Sequence, residues 1–391
     1  MHSSRRMQPS AASIASWRLT GSSGRARNCK FRAVLARLSL MYFLNQMQYR
    51  ELSNTGLLVS ELCLGAMTFG GKDGIWGMIG NLDQREVDEL VGASIDSGIN
   101  FFDTANVYAF GESEKLLGKA LSSRRRDVII ATKVRGRMGP GANQTGLSRV
   151  HIMQSVEDSL RRLGTDYIDL FQIHGLDVLA DFEDTLRTLD DLVRSGKVRY
   201  IGASNLAAWH LMKCLGISKY QGLEPFKSIQ SYYSLAGRDL EREIIPLLKS
   251  ENVGLLVWSP LAGGLLSGKF TKSNQDQEGR RAKFDFPPAN KEKTFNIVDV
   301  LIKIGAAHNT SAARVALAWV LAQPAVTSVI IGAKRRDQLD DNIASTQLKL
   351  TEDELGQLDA VSALSPEYPG WMFQMQGSDR LPGQTRTIPK P

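Results

Sequence analysis

The chain has 391 residues, with Lys+Arg 48 against Asp+Glu 41, a formal net charge of +7, 42% hydrophobic and 23% charged residues. This mix excludes a mostly disordered chain, a collagen-like fibre and a disulfide scaffold. The basic balance would suggest a nucleic-acid or anionic-membrane partner, but the charge is local: residues 1–50 hold nine basic side chains and no acidic one, while residues 51–391 hold 39 basic and 41 acidic.

Residues 1–46 are Arg- and Ser-rich and acid-free, a transit-like composition to be set apart from the fold. They read as an organelle-targeting segment or as the product of a start placed upstream of Met41 or Met47. A secretory signal is disfavoured, because the apolar run Leu38–Leu44 is short and no A-x-A site follows. No stretch approaches the ~18–20 apolar residues of a membrane span. The three cysteines, Cys29, Cys63 and Cys214, are widely spaced and show no C-x-x-C. They suggest a reducing, cytoplasmic setting (an organelle if residues 1–46 are translated) rather than disulfides or a metal site.

From Tyr49 the pattern becomes regular. Tyr49–Leu52 and Leu57–Ser60 flank Ser53-Asn54-Thr55-Gly56 and predict a hairpin. Eight apolar runs follow: Leu62–Gly65, Ile99–Asp103, Val128–Lys133, Ile168–Ile173, Val198–Ser204, Ser228–Ser231, Gly254–Trp258 and Val329–Ile331. Segments of helical spacing lie between them, including Arg85–Ser97, Arg149–Leu163, Phe182–Ser195, Ala207–Ser218, Glu241–Ser250 and Ser311–Ala322. Eight strands alternating with helices predict an α/β protein with a (β/α)8 TIM barrel. A doubly wound sheet would show a glycine-rich dinucleotide turn after its first strand. Here that strand is followed by Met67-Thr68-Phe69-Gly70-Gly71. Two long loops, Thr68–Leu82 and Ala262–Asn290, follow strand ends, on the face where barrel sites lie. The expected organisation is a basic extension (1–46), a barrel (47–361) and an irregular C-terminal tail (362–391).

The strand ends carry the chemistry. The runs end in Asp103, Lys133, His174, Ser204-Asn205, Gln230 and Trp258. In a barrel these ends converge on one mouth. A lysine beside a carboxylate forms an ion pair, and a tyrosine near that lysine has its pKa pulled down from about 10, because the cation favours phenolate. Tyr108, in the loop after Asp103, is the available phenol. It could give a proton to a developing alkoxide, while His174 polarises a carbonyl. Asn205 and Gln230 suit a planar carboxamide and Trp258 a flat ring. Together they suit hydride transfer with a nicotinamide.

These residues lie in motifs that resemble the aldo-keto reductase family: Phe102-Asp103-Thr104-Ala105 with Tyr108, Ala131-Thr132-Lys133, Gln172-Ile173-His174, Gly202-Ala203-Ser204-Asn205, Ser228-Ile229-Gln230 and Trp258-Ser259-Pro260-Leu261. Gly268-Lys269 and Ile331-Gly332-Ala333-Lys334-Arg335, with Gln338 and Asn342, extend the match, which covers roughly residues 48–361. The resemblance implies a barrel that binds NADPH without a Rossmann domain and acts on a small-molecule carbonyl; the scattered histidines show no metal-ligand spacing, and neither a nucleic-acid nor a membrane partner is expected from the charge and hydropathy. It implies Tyr108 as general acid/base, Lys133 and Asp103 as its tuning pair and His174 as the residue that orients the carbonyl. Ser204, Asn205 and Gln230 would hold the carboxamide, and Trp258 would stack on the ring. Ser259, Leu261, Gly263 and Lys269 would cover the pyrophosphate, with Thr68 also on the cofactor. Gly332, Lys334, Gln338 and Asn342 would meet the adenosine end. The Lys-Ser pair and later Arg of many members read here as Gly332-Ala333 and Gln338, so Lys334 and Arg335 would supply charge for a 2′-phosphate, with NADPH favoured over NADH.

Two alternatives are weighed. Gly263–Lys269 fits G-x-x-x-x-G-K, but Phe270 stands where a P-loop needs Ser or Thr. A regulatory role like that of potassium-channel beta subunits is the competing function. Those usually lack the histidine at the position of His174, which this chain keeps. Trp76, Met78, Tyr368, Trp371, Met372, Phe373 and Met375 suggest either an apolar wall of the substrate pocket or packing of the tail onto the barrel.

Overall fold

The computed structural model describes residues 47–274, 281 and 285–380. The expectation for residues 1–46 lies outside the described residues. A hairpin, β1 (Tyr49–Glu51) and β2 (Leu58–Ser60), pairs antiparallel. Eight strands follow: β3 (Leu62–Gly65), β4 (Phe101–Asp103), β5 (Ile129–Val134), β6 (Ile168–Ile173), β7 (Val198–Ser204), β8 (Ser228–Tyr232), β9 (Gly254–Trp258) and β10 (Val326–Ile331). They run parallel and close into a barrel in sequence order, β10 pairing with β3. Helices fill the connections, as parallel strands require.

Local chemistry sets the helix boundaries. Gln84–Asp96 opens on a capping box in which Asp83 and Glu86 each accept the other's backbone N–H at 2.9 Å. Arg149–Leu163 starts at the Ser148 cap and stops at Gly164, whose φ of 65° is a left-handed terminus. Ser311 caps Ala312–Leu321. Those helices follow the periodic segments closely. The structure adds helices at Glu112–Leu121 and Lys291–Ala307. The 362–391 tail is not wholly irregular: Gly370–Arg380 is helical. Pro366 and Pro369 precede that helix rather than interrupt it, and proline is tolerated at a helix start.

Strand parity positions the site. Successive strand residues point to opposite faces. Phe101, Ile129, Ala131, Leu170 and Leu256 form a buried cluster with Cys63 and with Leu52 and Val59 of the hairpin region. The hairpin thus closes one end of the barrel with apolar side chains. The alternate residues, among them Phe102, Ile130 and Phe171, join the larger core between strands and helices. Two residues beyond Phe101, Ala131 and Leu170, the same inward parity reaches Asp103, Lys133 and Gln172. The polar residues are therefore the last inward layer of the barrel, resting on an apolar floor.

Candidate active site

Lys133 is fully buried and Asp103 nearly so, at 0% and 2% exposure. Lys133 Nζ donates to Asp103 Oδ1 at 2.5 Å and to the Thr104 carbonyl at 2.7 Å, and lies 3.4 Å from the Tyr108 hydroxyl. A buried charge is tolerable only when paired and hydrogen-bonded, and all three Nζ protons have a partner here. Burial pushes the Lys133 pKa down, but the Asp103 carboxylate and Tyr108 outweigh it, so the net direction is up. Lys133 is thus a fixed ammonium. The other Asp103 oxygen, Oδ2, accepts from Gln230 Nε2 at 2.8 Å and from Gln172 Nε2 at 3.2 Å.

Tyr108 opens a tight turn in which Ala109 and Phe110 take left-handed φ values of 47° and 51°. That turn returns the chain over the mouth and presents the phenol to Lys133. The His174 ring meets the Tyr108 ring edge-on, with centroids 5.7 Å apart, and the Trp76 indole flanks Tyr108 at the same separation. Burial, followed by the charges of Lys133 and Arg135, pushes the His174 pKa down to about 3. Its imidazole is neutral at physiological pH. A neutral imidazole offers one N–H donor, which can hydrogen-bond a carbonyl.

The carboxamide candidates sit beside this group. Asn205, at φ 55°, donates from Nδ2 to the His174 carbonyl at 3.1 Å and accepts from Trp258 Nε1 at 3.0 Å. Ser204 Oγ donates to the Gln230 carbonyl at 2.8 Å. Trp258 stacks on Phe286 (5.7 Å, 7°) and tilts against Tyr232 at 5.2 Å.

The remaining predicted residues lie in three loops. Thr68 Oγ1 donates to the Ala333 carbonyl at 3.1 Å, tying the loop after β3 to the one after β10. Ser259 Oγ accepts the Gly263 N–H at 3.0 Å, and Leu261 starts the 3-10 turn Ala262–Ser267, with Lys269 exposed just beyond. Gly263 and Gly264 take φ of 68° and 100° there, which other residues adopt only with strain. The Lys334 backbone N–H donates to Gln338 Oε1 at 3.0 Å, and Asn342 Nδ2 to the Gly332 carbonyl at 3.3 Å.

Arg335 forks onto Asp337 with two bonds of 2.8 and 2.9 Å. Its charge is matched two residues away rather than offered alone. Tyr368, Trp371, Phe373 and Met375 are exposed, at 43–75%. Trp76, from the short helix Gly74–Ile79, is the aromatic that reaches the phenol. Gln172 appears in the sequence only as part of a motif and has no role assigned. Strand parity was the signal that could have found it.

The model of the Aldo/keto reductase family matches residues 61–363. Among curated proteins, an uncharacterized oxidoreductase, YrpG, of Bacillus subtilis is 36% identical over 342 residues, covering 83% of this chain and 100% of its own. The versiconal hemiacetal acetate reductase of Aspergillus parasiticus is 35% identical, covering 83% and 99%. A probable voltage-gated potassium channel subunit beta of Oryza sativa subsp. japonica is 34% identical, covering 82% and 98%.

Proposed function

The chain belongs to the aldo/keto reductase family, and from that premise we propose that it reduces an aldehyde or ketone to the alcohol with NADPH, using Tyr108 as the general acid. It is an oxidoreductase of carbonyl groups. The observation that carries the finer reading is the Lys133 ammonium, held at once by Asp103 and beside the Tyr108 hydroxyl.

When bound, reduced nicotinamide supplies a hydride to the carbonyl carbon. The chain's residues do the rest. The substrate oxygen approaches the Tyr108 hydroxyl and the neutral His174 imidazole together. His174 donates a hydrogen bond that aligns and polarises the carbonyl. Tyr108 delivers its proton to the oxygen as charge develops there, and Lys133 stabilises the phenolate left behind. In the reverse direction the phenolate takes the alcohol proton.

The residues fit a dinucleotide. A side chain at Gly332 or Gly264 would meet nothing within 4 Å, so the backbone there borders open space, which a phosphate or ribose needs for close approach. Gln230, Asn205 and Ser204 gather amide and hydroxyl groups beside Trp258. Lys334 is the cation we assign to a 2′-phosphate, with Arg335 held by Asp337. Ser259, Leu261, Gly263 and Lys269 are assigned to the pyrophosphate, and Thr68, Gly332, Gln338 and Asn342 to the adenosine side.

The name of the Oryza sativa relative favours a second reading, a cofactor-bound regulatory subunit. The two separate by turnover. Purified protein should consume NADPH in proportion to added carbonyl across an aldehyde and ketone panel, and faster than it consumes NADH. No consumption with any member would remove the reductase reading and leave the regulatory one.

A further inference from the structure

Within the last inward layer, one buried polar side chain has no part in the mechanism above. Gln172 is 0% exposed. Its Cα stands in register with Lys133 on β5 and with Gly202 on β7. A side chain at Gly202 would place its Cβ 3.2 Å from Gln172 Cγ and 2.6 Å from Ser228 Oγ. The neighbouring strand thus lacks a side chain where Gln172 needs room. An amide this deep costs free energy unless it is hydrogen-bonded, and an apolar residue would fill the same space without that requirement.

What Gln172 bonds to gives it a purpose. Its Nε2 donates to Asp103 Oδ2 at 3.2 Å, and Gln230 Nε2, on the same oxygen, lies 3.5 Å from Gln172 Oε1. The carboxylate is therefore divided: Oδ1 faces the Lys133 ammonium and Oδ2 faces two amides. Hydrogen bonds to a carboxylate disperse its charge. Removing one leaves more of that charge directed at Lys133, and a more strongly neutralised ammonium attracts a phenolate less.

We propose that Gln172 is a positioning residue for the proton transfer: by holding Asp103 Oδ2 and bracing Gln230, it sets how strongly Lys133 acidifies the Tyr108 hydroxyl. This rests on the reading of Tyr108 as the acid. The titratable groups facing the pair are Cys63 from β3, Tyr108 from the turn after β4, and His174 with Arg135 beyond it. Burial pushes the Cys63 thiol well up, with Asp103 adding to it, and His174 is already pushed down to about 3. Neither changes charge where a phenol beside an ammonium would.

The test is the pH dependence of kcat/KM for carbonyl reduction at saturating NADPH, on the full chain, for wild type, Gln172→Met and Gln172→Asn. Methionine keeps the volume without a donor. Asparagine keeps the amide but falls a methylene short of Asp103, and serves if the methionine variant does not fold. The expected result is a basic limb moved upward by on the order of half a pH unit, since only part of a charged hydrogen bond's worth passes through Asp103 and Lys133 to the phenol. A merely structural role would lower the amount of active protein and leave the limb where it was. A limb that coincides with wild type, or moves down, overturns the proposal. Tyr108→Phe, assayed alongside, separates the two levels. If that variant keeps its turnover, the reading of Tyr108 falls and this inference with it. If it is inactive while the Gln172 variants keep the wild-type limb, only this inference falls.

Discussion

Replacing Lys133 by methionine probes the buried pair directly. The substitution keeps the length of the stem and removes the ammonium. It strands Asp103, 2% exposed, with only the amides of Gln172 and Gln230 on Oδ2 and nothing on Oδ1. It also frees the Thr104 carbonyl, which accepts from Nζ at 2.7 Å. Breaking a buried pair by removing one partner costs about 3–5 kcal/mol, roughly a third to a half of a total stability near the middle of the usual ~5–15 kcal/mol. Removing both charges is different, because no uncompensated charge remains. Asp103→Asn combined with Lys133→Met should therefore recover about 2 kcal/mol or more relative to the sum of the single variants. Urea denaturation at pH 7, with the slope m compared across all four proteins, measures each corner of the cycle. Reductase activity should stay lost in the double variant, because the phenol has no ammonium beside it. If Lys133→Met costs under about 1 kcal/mol, as an exposed pair would, or if the two costs add, the description of the site as a mutually dependent buried pair is wrong.

Two further outcomes follow from the same geometry. His174 has its pKa depressed to about 3 in the folded chain, against about 6.5 unfolded. The unfolded state then binds more protons between those values, so this contribution to stability is complete above about pH 6.5 and is lost as pH falls towards 3, on the order of a few kcal/mol in all. Stability against pH for wild type and His174→Gln should diverge across that window, and parallel curves would refute the assignment. Trp76→Ala should lower kcat/KM for bulky apolar aldehydes by about tenfold or more while sparing a small one. Equal losses for both would show that Trp76 supports Tyr108 rather than shapes the substrate pocket.

Much of the site was legible because barrel geometry converts strand parity into convergence. Asp103, Lys133 and His174 end apolar runs, and the sequence therefore marks them as members of one mouth even though Lys133 and Asp103 are 30 residues apart. The hairpin was legible from its turn, although its use as a floor, through Leu52 and Val59, depends on packing that no local pattern encodes. Gln172 has no local signal because its partner Asp103 lies 69 residues away on β4, and the β4–β5 and β5–β6 registers together bring the two side chains to one layer. At Arg335 the sequence shows the charge but not its partner: Asp337, two residues on, accepts from it in a fork. The helix at Gly370–Arg380 was hidden by prolines that lie before it; Trp371, Phe373 and Met375 on it are exposed.

The central claim is that Tyr108 gives the proton in an NADPH-dependent carbonyl reduction. Single-turnover reduction by Tyr108→Phe, with NADPH binding titrated in parallel, tests it most directly. The account predicts a fall in the chemical step of about 10²–10⁴-fold, the usual worth of a positioned acid, with NADPH affinity retained. A variant that reduces carbonyls at the wild-type rate, or that loses turnover only because NADPH no longer binds, would contradict it.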